Sequence, residues 1–81
     1  MKVHVFVTPK RTVLDPQGQT ICRSLRGMGH PEVAEVRQGK FFEVEIGGGL
    51  SAEQARSVME KIAEEVLSNP VIEEYRVEIA G

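Results

Sequence analysis

The sequence predicts an α+β fold, a two-layer sandwich in the order β-α-β(β)-α-β with two helices on one face of a mainly antiparallel sheet. Three observations predict it. β-branched residues alternate with polar ones at both ends of the chain, two stretches place apolar residues at helical spacing behind cap residues, and the segment between those stretches alternates again. With 81 residues the chain has material for one core, so residues 1–81 are expected to form a single domain.

Val3, Val5 and Val7 alternate with Lys2, His4 and Phe6, which reads as a half-buried first strand over residues 2–8, ended by Pro9. Asp15 then offers a side-chain oxygen to free helix amides, and Pro16 fits the first helical position, where its missing N–H costs nothing. A helix is therefore expected from residue 16. Ile21, Cys22, Leu25 and Met28 share one side of it, and Gly27, Gly29 and Pro31 supply stop signals.

Residues 33–46 admit two arrangements. Ala34, Val36, Phe42, Val44 and Ile46 share one face if the segment is a single long, bent strand. A hairpin turning at Gln38, Gly39 and Lys40 keeps the same parity, with Val36 opposite Phe42 and Ala34 opposite Val44. The longer strand would overhang so small a domain and call for a partner chain along its unpaired end. Gly47, Gly48 and Gly49 form a connector, after which Ser51 and Gln54 have the capping-box spacing of a second helix. Ala55, Val58, Met59, Ile62, Ala63, Val66 and Leu67 make a wide apolar stripe on that helix. Asn69 and Pro70 end it, and Val71 to Ile79 reads as a last strand with Tyr75, Val77 and Ile79 facing one way.

Composition excludes several functions. Ten basic residues against twelve acidic ones give a net charge of −2, which leaves no field to hold nucleic acid or an anionic membrane. The N-terminal stretch enters a strand pattern at once and has no signal-peptide or membrane-span character. Together with a single cysteine, Cys22, this makes the cytoplasm the expected compartment. Catalytic chemistry is equally thin. His4 falls on the polar parity of its strand, His30 sits before a proline, and Cys22 lies on the apolar side of a helix as a small hydrophobe would. No metal-ligand spacing surrounds them. The triple glycine lacks the Lys-Ser/Thr of a phosphate loop and reads as a plain connector. Phe6 and Phe41 fall on the sheet face that helices leave open, as at a protein interface, and Phe41-Phe42 only faintly echoes an RNA-binding strand. The residues alone describe an interaction module without its own active site.

Two stretches carry a specific resemblance, Val13-Leu14-Asp15-Pro16-Gln17-Gly18 after the first strand and Asn69-Pro70-Val71-Ile72-Glu73-Glu74-Tyr75-Arg76 entering the last. With Val36-Arg37-Gln38-Gly39-Lys40 between them, the chain resembles, from end to end, the PurS family, the small subunits of bacterial and archaeal formylglycinamide ribonucleotide amidotransferase. The resemblance implies a role in purine synthesis. In that enzyme, also called phosphoribosylformylglycinamidine synthase, a glutaminase subunit (PurQ) frees ammonia and a synthetase subunit (PurL) spends ATP, with magnesium, on amidating formylglycinamide ribonucleotide. The small subunit is expected to be inactive alone, to bind no cofactor or metal, and to form a homodimer or higher homo-oligomer that bridges the larger subunits. It also implies the long middle strand, and hence the bent arrangement of residues 33–46.

Lys10, Arg11, Asp15, Gln17, Arg37, Lys40 and Tyr75 are the candidate partner contacts, because they combine polar chemistry with places in or beside the resembling motifs. Asp15 and Gln17 could instead serve only the helix cap, and Tyr75 only the core. A rival plan is an ACT-like regulatory module, which would bind a small molecule such as an amino acid at a dimer interface. An acylphosphatase-like enzyme would need a catalytic asparagine, and Asn69, the sole asparagine, looks like a helix stop.

Overall fold

Alternation decides the sheet. In β1 (Lys2–Pro9) the side chains of Val3, Val5 and Val7 are wholly buried, while Lys2, His4, Phe6 and Thr8 point to the opposite face. The computed structural model describes residues 1–80 and continues with α1 (Pro16–Gly27), β2 (Lys40–Glu45), α2 (Ala52–Ile62) and β3 (Glu73–Ile79). The sheet is antiparallel throughout, in the order β2-β1-β3. Its register sets like against like: Val3 opposes Val44 and Ile79, Val5 opposes Phe42 and Val77, and Val7 opposes Tyr75.

One helix covers this apolar face. The expected capping box is present, with Gln54 N donating to Ser51 Oγ at 3.1 Å and Ser51 N donating to Gln54 Oε1 at 3.0 Å. From that start the helix buries Ala55, Met59 and, at the turn that follows α2, Ala63, one line at a spacing of four, with Met59 and Ala63 clustered on the three valines. Arg56 Nη1 ties the helix to β3 through the Val77 carbonyl at 3.0 Å. The last turn loosens to π-helical pairing over Ala63–Leu67, where both the amide and the hydroxyl of Ser68 donate to the Ala63 carbonyl. Asn69 then organises a turn that holds Val71 and Ile72, so the last strand begins two residues later than its pattern suggested.

The α+β class, the antiparallel sheet and both helices are as the sequence led us to expect, but the cover is unequal. Asp15 caps α1 and Pro16 opens it as expected, yet Gly18 is the only buried residue of that helix. Ile21 and Met28 are exposed, and Cys22 and Leu25 half-buried, because the apolar side of α1 turns towards residues 33–38 and not into the core. Residues 33–39 do not pair back on β2 as the hairpin would; they have no ladder partner among the described residues of the chain and run directly into β2 at Lys40. Phe42 pairs with Val5 instead of Val36, and the backbone of the 33–39 segment bonds to α1 side chains, with Arg26 Nε reaching the Val33 carbonyl at 2.8 Å.

The consequence is an extended molecule. Its radius of gyration is 16.0 Å, against about 12 Å for a compact chain of this length. The principal extents of 50 × 26 × 13 Å describe a thin sheet-and-helix layer with an arm.

Met59 is wholly buried in the core cluster, so Met59→Ala is expected to lower the unfolding free energy by about 2–5 kcal/mol. Denaturant titration followed by far-UV circular dichroism measures this, and a loss below about 1 kcal/mol would place the stabilising contacts elsewhere.

Candidate functional site

The arm is held by one carboxylate. Asp15 Oδ1 accepts from the Gly18 amide at 3.1 Å, the helix cap, and Oδ2 accepts from the Gln38 amide at 2.8 Å. A single side chain thus fastens the start of α1 to the end of the 33–38 segment. The donated bonds from Gln38 and then Gly18 hold the Asp15 carboxyl below the usual carboxylate range, helped by the Arg37 charge and opposed by partial desolvation. Gly18 makes the close approach possible, since a Cβ there would lie 2.3 Å from the Val36 carbonyl oxygen and 2.5 Å from Asp15 Oδ2. Gly39 does the same at the far end of the seam, where a Cβ would lie 2.4 Å from the Val7 carbonyl oxygen.

Several cavities flank this seam. One, about 320 Å³, lies between α1 and the 34–37 segment and is lined in part by Arg11, Asp15, Cys22, Glu35, Val36 and Arg37. Another, about 200 Å³, includes Pro9, Asp15, Gln17, Gln38, Lys40 and Glu73 in its wall. Of the candidate contacts, the structure therefore gathers Arg11, Asp15 and Arg37 in one place and Asp15, Gln17 and Lys40 in the other, with Asp15 common to both. Lys10 stands at the base of the same loop, its amide donating to Ile72 and its carbonyl accepting from Val13.

The cations keep their donors largely free. Arg11 is 3.9 Å from Glu35 and Lys40 is 3.8 Å from Glu73, ion pairs too long for good hydrogen bonds. Arg37 has a buried Nη2 that meets no acceptor in the protein.

Tyr75 does not join them. It packs against the core from the inner face of β3, and burial, followed by the charges of Glu60 and Glu64, pushes its phenol pKa up. Its location agrees with the core role weighed against contact. The residues that sequence reasoning missed are Gly18, Glu35 and the backbone of Gln38; of these only Gly18, a glycine in the first turn of a helix, left a signal in the sequence.

Other chemistry is sparse. Cys22 Sγ lies 3.8 Å from the carbonyls of Val33 and Ala34, His30 is 3.4 Å from Glu32, and His4 sits on the sheet. Among the described residues, no group of three or more His, Cys, Asp and Glu could hold a metal ion, and no helix is long and apolar enough to cross a membrane. Gly48 and Gly49 adopt positive φ in the connector. The open sheet face is a second surface suited to recognition. There Phe41, 53% exposed, stands 5.0 Å from the His4 ring and 5.1 Å from Phe6, and the Arg76 guanidinium lies 4.6 Å over the Phe6 ring.

Comparison with known proteins agrees over the whole chain. The family described as "PurS: Phosphoribosylformylglycinamidine (FGAM) synthase" matches residues 2–81. The phosphoribosylformylglycinamidine synthase subunit PurS of Bacillus subtilis is 40% identical over 78 residues, covering 96% of this chain and 90% of its own length. A crystal structure of B. subtilis PurS superposes with a TM-score of 0.84 at 39% identity, covering 99% of this chain and 98% of that one. A chain in a structure of PurLQS from Thermotoga maritima superposes with a TM-score of 0.85 at 38% identity, covering 95% and 93%.

The Asp15 clamp has a pH signature. Its folded-state pKa is depressed below an unfolded value near 3.9, so its stabilisation is complete above about pH 4 and is lost as pH falls through the depressed value. Asp15→Asn, which keeps one acceptor and sets an NH2 against the other amide, should melt at a lower temperature than the wild type at pH 7. The difference should close as the pH is taken below about 4; a gap that persists unchanged in acid would show that the ionised carboxylate is not what holds the arm.

Proposed function

This chain belongs to the PurS family, the small subunits of phosphoribosylformylglycinamidine synthase, and on that footing we propose that it bridges the glutaminase (PurQ) and synthetase (PurL) subunits of that enzyme in purine biosynthesis. The observation that carries the bridging role is the extended form of the chain, in which a thin layer with one uncovered face continues into a clamped, cation-bearing arm. A molecule of that shape has surface for two partners and little interior for a reaction.

The chemistry of the complex explains why such a part is needed. Glutamine hydrolysis yields glutamate and ammonia, and ammonia that reaches water at neutral pH is protonated and no longer a nucleophile. The synthetase activates the amide oxygen of formylglycinamide ribonucleotide with ATP, ammonia displaces it to give the amidine, and ADP and phosphate leave. ATP and magnesium belong to the synthetase subunit in this reading. The small subunit contributes position: rigid docking keeps the two reaction centres joined, which raises the effective concentration of ammonia at the second.

Lys10, Arg11, Gln17, Arg37 and Lys40 make the polar contacts of that docking, and Asp15 positions them by holding α1 against the 33–38 segment. The aromatic face around Phe6 and Phe41 serves self-association. The chain works as one domain, in the cytoplasm, without a cofactor of its own.

The test is reconstitution with purified glutaminase and synthetase subunits. Glutamine-dependent formation of the amidine should rise about tenfold or more as the chain is titrated in and level off at a fixed ratio, while the rate with added ammonium salt changes little. Equal glutamine-dependent rates with and without the chain would remove the bridging role.

A further inference from the structure

We propose that the 320 Å³ cavity between α1 and residues 34–37 receives a carboxylate side chain from one of the two larger subunits, gripped by Arg37 with Arg11 at the rim. The inference rests on the bridging reading and names the chemistry of one of its contacts.

Arg37 is the starting point. A guanidinium is charged at any physiological pH and carries a planar fork of donors that matches a carboxylate two bonds at a time. Here Nη2 is buried and has no protein acceptor, an arrangement that native structures seldom leave uncompensated. The acids in the same wall are committed elsewhere. Asp15 spends both oxygens on backbone amides, and Glu35 stands off Arg11 at 3.9 Å with its side chain well exposed. An incoming carboxylate would therefore satisfy Arg37 and displace a weak pair at Arg11.

The walls favour a protein donor over a free metabolite. A free amino acid brings an ammonium group that needs acceptors of its own; both Asp15 oxygens already receive backbone bonds, and Glu35, the other acid in the wall, faces the Arg11 charge. A side-chain carboxylate brings none. Leu14, 67% exposed, lines the same cavity and gives an apolar contact that a partner surface would cover and a small acid would not.

Titration calorimetry of the full chain against each larger subunit separately tests this. Arg37→Met keeps the apolar stem and removes the fork; it should weaken binding to one subunit about tenfold to a hundredfold and leave the other within about twofold, with the melting temperature unchanged. Arg37→Lys, which restores charge without the fork, should recover part of the loss. Succinate serves as the free-acid probe and should not shift the melting temperature of the chain alone. If Arg37→Met binds both subunits as the wild type does, this inference fails while bridging stands, whether or not succinate stabilises the chain. A wild-type chain that binds neither subunit ends both readings. Should Arg37→Met not fold, Arg11→Met at the exposed rim takes its place: a loss of about threefold for one subunit supports the site, and unchanged binding overturns it.

Discussion

Val3, Val5 and Val7 occupy a strand that is paired on both sides, and β2, β3 and α2 are placed by the need to keep these three side chains dry. β2 and β3 bring Phe42, Val44, Tyr75, Val77 and Ile79 alongside them, and α2 closes the face from above with Ala55, Met59 and Ala63. A sheet of three strands has two faces, however, and α2 is the only helix that contributes to the core. The second face keeps its aromatic cluster in contact with solvent, held by edge-on and tilted ring packing and by the Arg76 guanidinium over Phe6. A fold of this economy is complete only in company, which accords with a subunit whose relatives include a chain of PurLQS.

The arm obeys different physics. Where the core relies on area removed from water, α1 and residues 33–38 rely on directional bonds: a carboxylate shared between two amides, a guanidinium on a carbonyl, and a glycine that lets a carbonyl oxygen approach a helix. Such contacts define a geometry without adding much apolar burial. Backbone groups that a sheet would have paired are satisfied by helix side chains instead, and the cations beside them are left with donors to offer.

Legibility in the sequence divides along the same line. The caps were plain, since Asp15-Pro16 and Ser51 with Gln54 each form the bonds that their spacing implies. Strand parity was plain too: the inward residues of β1, β2 and β3 are those of matching parity, and Phe6 and Phe41 lie on the open side as expected. What could not be read was the destination of an amphipathic surface. Ile21, Cys22, Leu25 and Met28 announce that one side of α1 wants cover, but spacing does not say whether a sheet, a loop or another chain provides it. The same holds for Val58, Ile62 and Val66, which lengthen the α2 stripe and remain exposed. The site was half legible. Its cations and Asp15 were named and Glu35 was not, while the Gln38 amide that fixes their arrangement is a backbone group and has no sequence signature.

The order β2-β1-β3 has a bearing on how the chain comes into being. β1 leaves the ribosome before both strands that flank it, and Val3 is paired to Ile79, 76 residues further on. Its valine face cannot be sheltered until β3 has been made, and closing that pairing joins residues far apart in the sequence, which makes folding slow relative to a helical protein of equal size. Nascent copies therefore share an interval in which an unpaired strand is open to other chains. The timing of translation and the supply of neighbouring subunits then decide whether that interval ends in assembly or in aggregation.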